Sequence, residues 1–249
     1  MKTTGNTILI TGGSSGIGKG LAEAFHKLGN KVIISGRRKD VLIAVAQENP
    51  GMEWVELDVN DPQNINAVAD KLISAFPDLN VLINNAGVME LDNVSGRLDD
   101  EMLVSNTTTN FFGPIRMTAA FVEHLKQKTS ATIINVSSGM GFVPFAMGAV
   151  YSATKSAIHS YSLSLRYQLS KTSVKVVELV PPWVRTPLLN SQDAPQAMPF
   201  DEFISEVFAL LETGADEILV ERVVQLRNNP GENEHILVNN YNDAMLSGN

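Results

Sequence analysis

Tyr151 and Lys155 stand four positions apart in Tyr151-Ser152-Ala153-Thr154-Lys155-Ser156-Ala157. On a helix, that spacing brings both side chains onto one face. An ammonium beside a phenol favours the phenolate, so the pair predicts a Tyr151 pKa below the ordinary value of about 10. A phenol moved toward neutral pH can exchange protons with a reacting group. The same two residues are also common on the solvated face of an ordinary helix, so their meaning depends on what else the chain places beside them.

A second chemical feature is the run Thr11-Gly12-Gly13-Ser14-Ser15-Gly16-Ile17-Gly18, which follows a short apolar stretch. Glycines at 12, 16 and 18 permit a tight strand-to-helix turn whose backbone can approach a pyrophosphate closely. Free N–H groups at the start of the following helix stabilise phosphate charge. The next apolar run ends in Ile33-Ile34-Ser35-Gly36-Arg37-Arg38. A fold that prefers NAD carries an acidic residue at this point to bond the ribose 2′-hydroxyl, whereas arginine accommodates a 2′-phosphate. Gly36 stands where the acid would be, and Arg37 and Arg38 follow it, so NADP(H) is the favoured cofactor and NAD(H) the other possibility.

These groups need a scaffold, and the apolar pattern supplies one. Strands are expected at Thr7–Ile10, Lys31–Ser35, Trp54–Leu57, Val81–Asn84, Thr132–Val136 and Val174–Leu179, all rich in Ile, Val and Leu. Such runs suit parallel strands covered on both faces. Between them lie amphipathic stretches, among them Gly18–Leu28, Asp40–Glu48, Pro62–Ala75 and Tyr151–Ser170. The alternation predicts an α/β fold, a Rossmann-type doubly wound parallel sheet in a single domain over residues 1–249. Trp183–Phe200 holds Pro187, Pro195 and Pro199 with little periodicity, then helical spacing resumes over Asp201–Thr213, so residues 183–213 are expected to form a loop or lid over the substrate. Beyond Gly214 a short strand at Ile218–Val220 and helical pieces at Val223–Leu226 and His235–Leu246 are expected.

Composition narrows the function. The chain has no cysteine, which removes disulfides and thiolate chemistry and suits a reducing cytoplasm. A net charge of −8 argues against nucleic-acid partners. No apolar stretch is long enough for a membrane span, and the N-terminal apolar run is too short for a signal peptide. None of the four histidines has a carboxylate at metal-ligand spacing, so no metal is expected, and a structural hydrogen bond is the role expected of His159.

The order of Thr11–Gly18, Asp58-Val59, Asn84-Asn85-Ala86-Gly87, Asn110, Ser138, Tyr151 and Lys155 resembles the short-chain dehydrogenase/reductase family. The resemblance runs from Thr7 to about Thr186. It implies that Gly12, Ser14, Ser15, Gly16, Ile17 and Gly18 hold the cofactor diphosphate and adenosine, with Asp58 and Val59 at the adenine. Asn85, Ala86 and Gly87 would line the ribose side. Ser138, rather than its neighbour Ser137, would hydrogen-bond the substrate oxygen, Tyr151 would be the acid–base, and Lys155 would tune it and bind the nicotinamide ribose. Asn110 would position a relay water behind the lysine. Pro181, Val184 and Thr186 would contact the nicotinamide, although Pro182 stands where the family carries glycine and lacks an N–H.

The function so implied is an NAD(P)(H)-dependent oxidoreductase that interconverts a carbonyl and its alcohol. Met140, Phe142, Phe145, Met147, Trp183, Leu188 and Leu189 flank the site and suggest a hydrophobic ketone or aldehyde. The helix at Ala157–Ser160 and the Pro181-Pro182 pair resemble the bacterial carbonyl reductases and the DltE-like oxidoreductases. A homodimer or homotetramer is the family's expectation. The rival reading is a nucleotide-sensing regulatory protein that keeps the fold and lacks catalysis.

Overall fold

The computed structural model describes residues 1–228 and 231–246. The end of the expected 1–249 domain therefore lies outside the described residues, as do residues 229–230. Strands β1 (Thr7–Thr11), β2 (Lys31–Gly36), β3 (Glu53–Glu56), β4 (Leu79–Asn84), β5 (Ala131–Val136), β6 (Val174–Val180) and β7 (Glu217–Leu219) form one parallel sheet in the order β3-β2-β1-β4-β5-β6-β7. The helices are α1 (Gly16–Lys27), α2 (Lys39–Glu48), α3 (Pro62–Ala75), α4 (Asp100–Thr107), α5 (Gly113–Lys126), α6 (Ala149–Leu169), α7 (Phe200–Glu212), α8 (Glu221–Arg227) and α9 (Glu234–Leu246).

Side chains alternate across the strands and so build two cores. Ile8 and Ile10 of β1, Val32 and Ile34 of β2, and Val177 and Leu179 of β6 face Phe25 of α1, Leu42 of α2 and Phe203 of α7. Leu9, Ile33, Leu82 and Ile133 face the opposite way, onto Val68 of α3 and Phe121 of α5. Continuous apolar runs were required because both sheet faces are covered. The chain leaves β1 for β2 and β3 on one side, then crosses to β4 on the other. A crevice above the carboxyl ends of β1 and β4 follows from that reversal.

Each expected strand is present within a residue or two of its expected ends, and the short strand near Ile218 extends the sheet beside β6. The stretch between Asn85 and Thr132 carries two helices that the apolar pattern does not mark. A one-turn π-helix at Thr108–Phe112 separates α4 from α5 and shifts the helical phase, which blurs the 3.6-residue signal. The loop after β6 is more ordered than its prolines suggest. Met198 N donates to Trp183 O at 2.8 Å and Arg185 N to Met198 O at 3.0 Å, which pins the base of the loop. Its tip is exposed at Leu188 and Leu189.

Candidate active site

The turn after β1 is shaped by glycine at two points. Gly12 has φ of 67°, and a Cβ there would sit 2.9 Å from the Ala86 Cα. A Cβ on Gly18 would lie 2.3 Å from the Gly12 carbonyl oxygen and 2.4 Å from Asn85 Nδ2. α1 can therefore start against the turn only with glycine at that position. Asn85 Nδ2 donates to Thr11 O at 2.9 Å, while the Asn85 and Ala86 amides both donate to Thr11 Oγ1 at 3.0 Å. The end of β4 is thus locked onto the end of β1, and the turn lines the crevice.

The crevice is a cavity of about 620 Å³. Its walls include Gly12, Ser14, Ser15, Gly16 and Ile17 of the turn, Arg37 and Arg38 after β2, and Asp58 and Val59 after β3. Asn85, Ala86 and Gly87 line it beyond β4, and Pro181, Val184 and Thr186 line it beyond β6. Gly18 and Asn110 stand behind the wall. Arg38 donates to Ser15 Oγ at 3.4 Å, and both arginines are exposed at the mouth beyond Gly36. A turn with no room for a side chain at Gly12 or Gly18, next to two exposed guanidinium groups, fits a dinucleotide with a 2′-phosphate.

At the inner end Ser138, Tyr151 and Lys155 come together, each at most 8% exposed. Ser138 ends the segment beyond β5 and receives a hydrogen bond from Met140 N at 3.2 Å. Lys155 Nζ donates to Val136 O at 2.8 Å and stands 5.5 Å from the Tyr151 ring centre. Burial pushes the Tyr151 phenol up to about 12, against a hydrogen bond with Ser138 that favours the phenolate. Burial also pulls the Lys155 ammonium down to about 8, against the charge of Glu178. The spacing argument expects a lowered Tyr151 pKa, and the structure gives the opposite sign because desolvation of the phenolate outweighs the hydrogen bond with Ser138.

Two residues that position this centre lie far away in sequence. Asp92 accepts from Ala149 N at 3.1 Å and Val150 N at 2.8 Å, capping the first turn of α6 just before Tyr151. A search for local caps misses it, since Gly148 provides none. Asn110 lies within the π-helical turn, where its side-chain amide is spent on Val88 N (2.9 Å), Val88 O (2.8 Å) and Thr154 Oγ1 (3.3 Å). It ties the loop beyond Gly87 to the helix that carries Lys155.

Of the expected apolar flank, Met140, Trp183, Leu188 and Leu189 line the cavity. Phe142, Phe145 and Met147 are not on its wall. Phe142 turns instead to His159, ring centres 4.7 Å apart, and to the Arg227 guanidinium at 5.0 Å. Sequence reasoning missed Met89, Leu226, Tyr241 and Met245, together with the cation Arg222, all on the wall. Met89 lies in the segment after β4, and the other four depend on how α8 and α9 return to the site. Asn242 of α9 helps set that return, donating to Pro144 O at 3.0 Å. His159 makes the structural hydrogen bond expected of it, with a carboxylate that its sequence spacing does not show. Its Nδ1 lies 2.8 Å from Glu178 Oε2, and Glu217 joins the group, all ligand atoms lying within 4.8 Å of one another. Arg227 already pairs with both Glu217 oxygens, at 2.8 and 3.1 Å.

A parallel sheet with a glycine-walled crevice at its reversal point, ending in a buried tyrosine and lysine, defines a dinucleotide-dependent oxidoreductase. The family model of the short chain dehydrogenases matches residues 6–197. The chain belongs to that family. It is 40% identical over 236 residues to an uncharacterised oxidoreductase, DltE, of Bacillus subtilis, covering 92% of this chain and 93% of that one. It is 37% identical over 190 residues to an NADP-dependent 3-hydroxy acid dehydrogenase of Schizosaccharomyces pombe, covering 73% of each. Among solved structures, a short chain dehydrogenase from Burkholderia cenocepacia in complex with NADP matches with a TM-score of 0.84 at 28% identity, covering 96% of this chain and 98% of that one. No described helix is long and apolar enough to cross a membrane.

Proposed function

We propose that this protein reduces a hydrophobic ketone or aldehyde to its alcohol with NADPH, Tyr151 giving the proton. The observation that carries this reading is the buried trio of Ser138, Tyr151 and Lys155 at the inner end of the crevice, with Tyr151 held in its protonated form. When bound, a reduced nicotinamide supplies the hydride. Tyr151 holds its proton at the hydroxyl oxygen until negative charge grows on the substrate oxygen, then releases it there. Ser138 donates to the same oxygen, an interaction that strengthens as charge develops. Lys155 holds positive charge beside the phenol and, with its Nζ, reaches toward the ribose hydroxyls. Asn110 orders the backbone around Gly87 and Val88, where a water behind Lys155 can return the proton. Gly12 and residues 14–17 would hold the diphosphate, with Gly18 bracing the turn behind them, Asp58 and Val59 would meet the adenine, and Pro181, Val184 and Thr186 the nicotinamide side.

The test is oxidation of NADPH and of NADH, each followed with a panel of alkyl and aryl ketones plus a 3-oxo acid. Faster turnover with NADPH is expected. The double variant Arg37→Ala/Arg38→Ala is expected to raise KM for NADPH at least about tenfold, losing a charged contact of roughly 1.5–3 kcal/mol, and to leave KM for NADH nearly unchanged. Equal losses for both cofactors would remove the 2′-phosphate role from these arginines. The 3-oxo acid asks whether Arg222 receives a carboxylate, as the hydroxy acid named for the fission yeast relative suggests.

The same reading includes a homodimer formed through the helices that carry Asn110 and Tyr151. Tyr167 and Leu163 stand exposed on α6, at 82% and 43%, and Phe112 and Val104 are exposed near α4. Exposed apolar groups on these elements favour association. Light scattering should give twice the chain mass of 27.0 kDa or a multiple of it, and a monomer would remove this part of the proposal.

A further inference from the structure

Glu178 is a carboxylate with no exposed surface, placed in the middle of the β6 strand. The strand register sets it opposite Asn135. Its Oε1 accepts from Ser137 Oγ at 2.5 Å and its Oε2 pairs with His159 Nδ1 at 2.8 Å. Ser137 is the link between the two residues that hold the catalytic pair. On one side, the Val136 carbonyl accepts from Lys155 Nζ, and on the other Ser138 bonds with Tyr151. A buried charge costs several kcal/mol unless it is compensated, so Glu178 needs a reason to be here.

We propose that Glu178 is a positioning residue of the active site, which anchors the Val136–Ser138 segment through Ser137 and places a negative charge behind the segment whose Val136 carbonyl holds Lys155. The inference rests on the role given above to Lys155. The neighbouring charges do not supply this by themselves. From α6, Tyr151 is neutral and His159 is engaged with Glu178. From β7 and α8, Glu217 and Arg227 neutralise one another, and Arg166 lies on the outer side near Glu217. Glu178 is the group whose charge opposes the downward pull of burial on the Lys155 ammonium. Lys155 is required in its charged form, so activity should fall as pH rises through its pKa of about 8. Removing the Glu178 charge would let burial pull that pKa lower and bring the fall to more acid pH.

The experiment compares wild type, Glu178→Gln, Glu178→Asp and Ser137→Ala, each first checked for folding by thermal denaturation. Two readouts are followed against pH: kcat/KM for carbonyl reduction, and the NADPH dissociation constant from nucleotide fluorescence. Glu178→Gln is expected to move the alkaline fall in both profiles about one pH unit toward acid, the lower end of the effect of one opposite charge. Glu178→Asp, which keeps the charge, should restore the wild-type position, and Ser137→Ala should lower kcat with no movement of the profile. Unmoved profiles in a folded Glu178→Gln protein would overturn the proposal. If that variant does not fold, a displaced profile in Glu178→Asp or in Ser137→Ala would overturn it. Absent turnover in every protein, with the binding profile shifted as expected, would sink the carbonyl reading and leave the Glu178 assignment standing.

Discussion

Tyr151→Phe is expected to lower kcat for carbonyl reduction about 10³-fold, within the range of general acid catalysis. In the proposed reaction the phenol gives the proton, although the Lys155 ammonium, at about 8, is the stronger acid. Ser138 has an ordinary hydroxyl, and Lys155 is bonded to the Val136 carbonyl. Phenylalanine keeps the ring, the packing on α6 and the Lys155 contact to the ring face, so the fold and the crevice should persist. NADPH binding, measured by nucleotide fluorescence, should change less than about threefold, since binding energy and transition-state energy are separable when the lost group acts only on the developing charge. A thermal midpoint close to wild type would show that the loss is chemical. Turnover within tenfold of wild type would end the assignment of Tyr151 as acid and shift attention to Ser138.

Gly18→Ala is expected to be the most damaging single methyl group in the chain. The new Cβ would lie 2.3 Å from the Gly12 carbonyl oxygen, a contact with backbone that no rotamer can relieve. Either α1 slides away from the turn or the turn itself opens. The first loses packing of Leu21, Ala22 and Phe25, which are 0–1% exposed. The second breaks the Asn85 bonds to Thr11 and Gly12. Overpacking of this kind costs about 3 kcal/mol, and a chain of this length then loses roughly 6–12 °C of thermal midpoint. NADPH affinity should fall more than about tenfold, because the amides that face the diphosphate shift with the turn. A midpoint within a degree or two of wild type would mean that α1 yields at little cost and that the close approach is not what glycine serves there.

Much of the centre was legible because its parts are local. The turn from Thr11 to Gly18 is one contiguous run whose glycines announce the backbone geometry, and Tyr151 and Lys155 share a helix whose period places them together. Strand ends were legible for the same reason, as a buried parallel strand is a short apolar run. The α4–α5 region was not, since the π-helical turn at Thr108–Phe112 changes the residue count per turn inside the segment. The sign of the Tyr151 shift was also hidden. Spacing reports which groups are neighbours, whereas desolvation depends on how many other elements cover them.

The amino-acid order alone determined the parallel α/β architecture, the glycine turn, the paired arginines after β2 and the alignment of Tyr151 with Lys155, all carried by contiguous runs or by spacings within one element. Only the tertiary structure decided that Asp92 caps α6, that Glu178 lies beneath Ser137 and His159, that Arg222, Tyr241 and Met245 reach the cavity, and that Phe142 turns away from it. Each of these depends on strand order and register, or on the path of a helix returning from another part of the chain. Contacts made across 19 residues (His159 to Glu178) or 57 residues (Asp92 to Ala149) carry no periodic mark in either segment, so packing of the whole sheet is what brings them together.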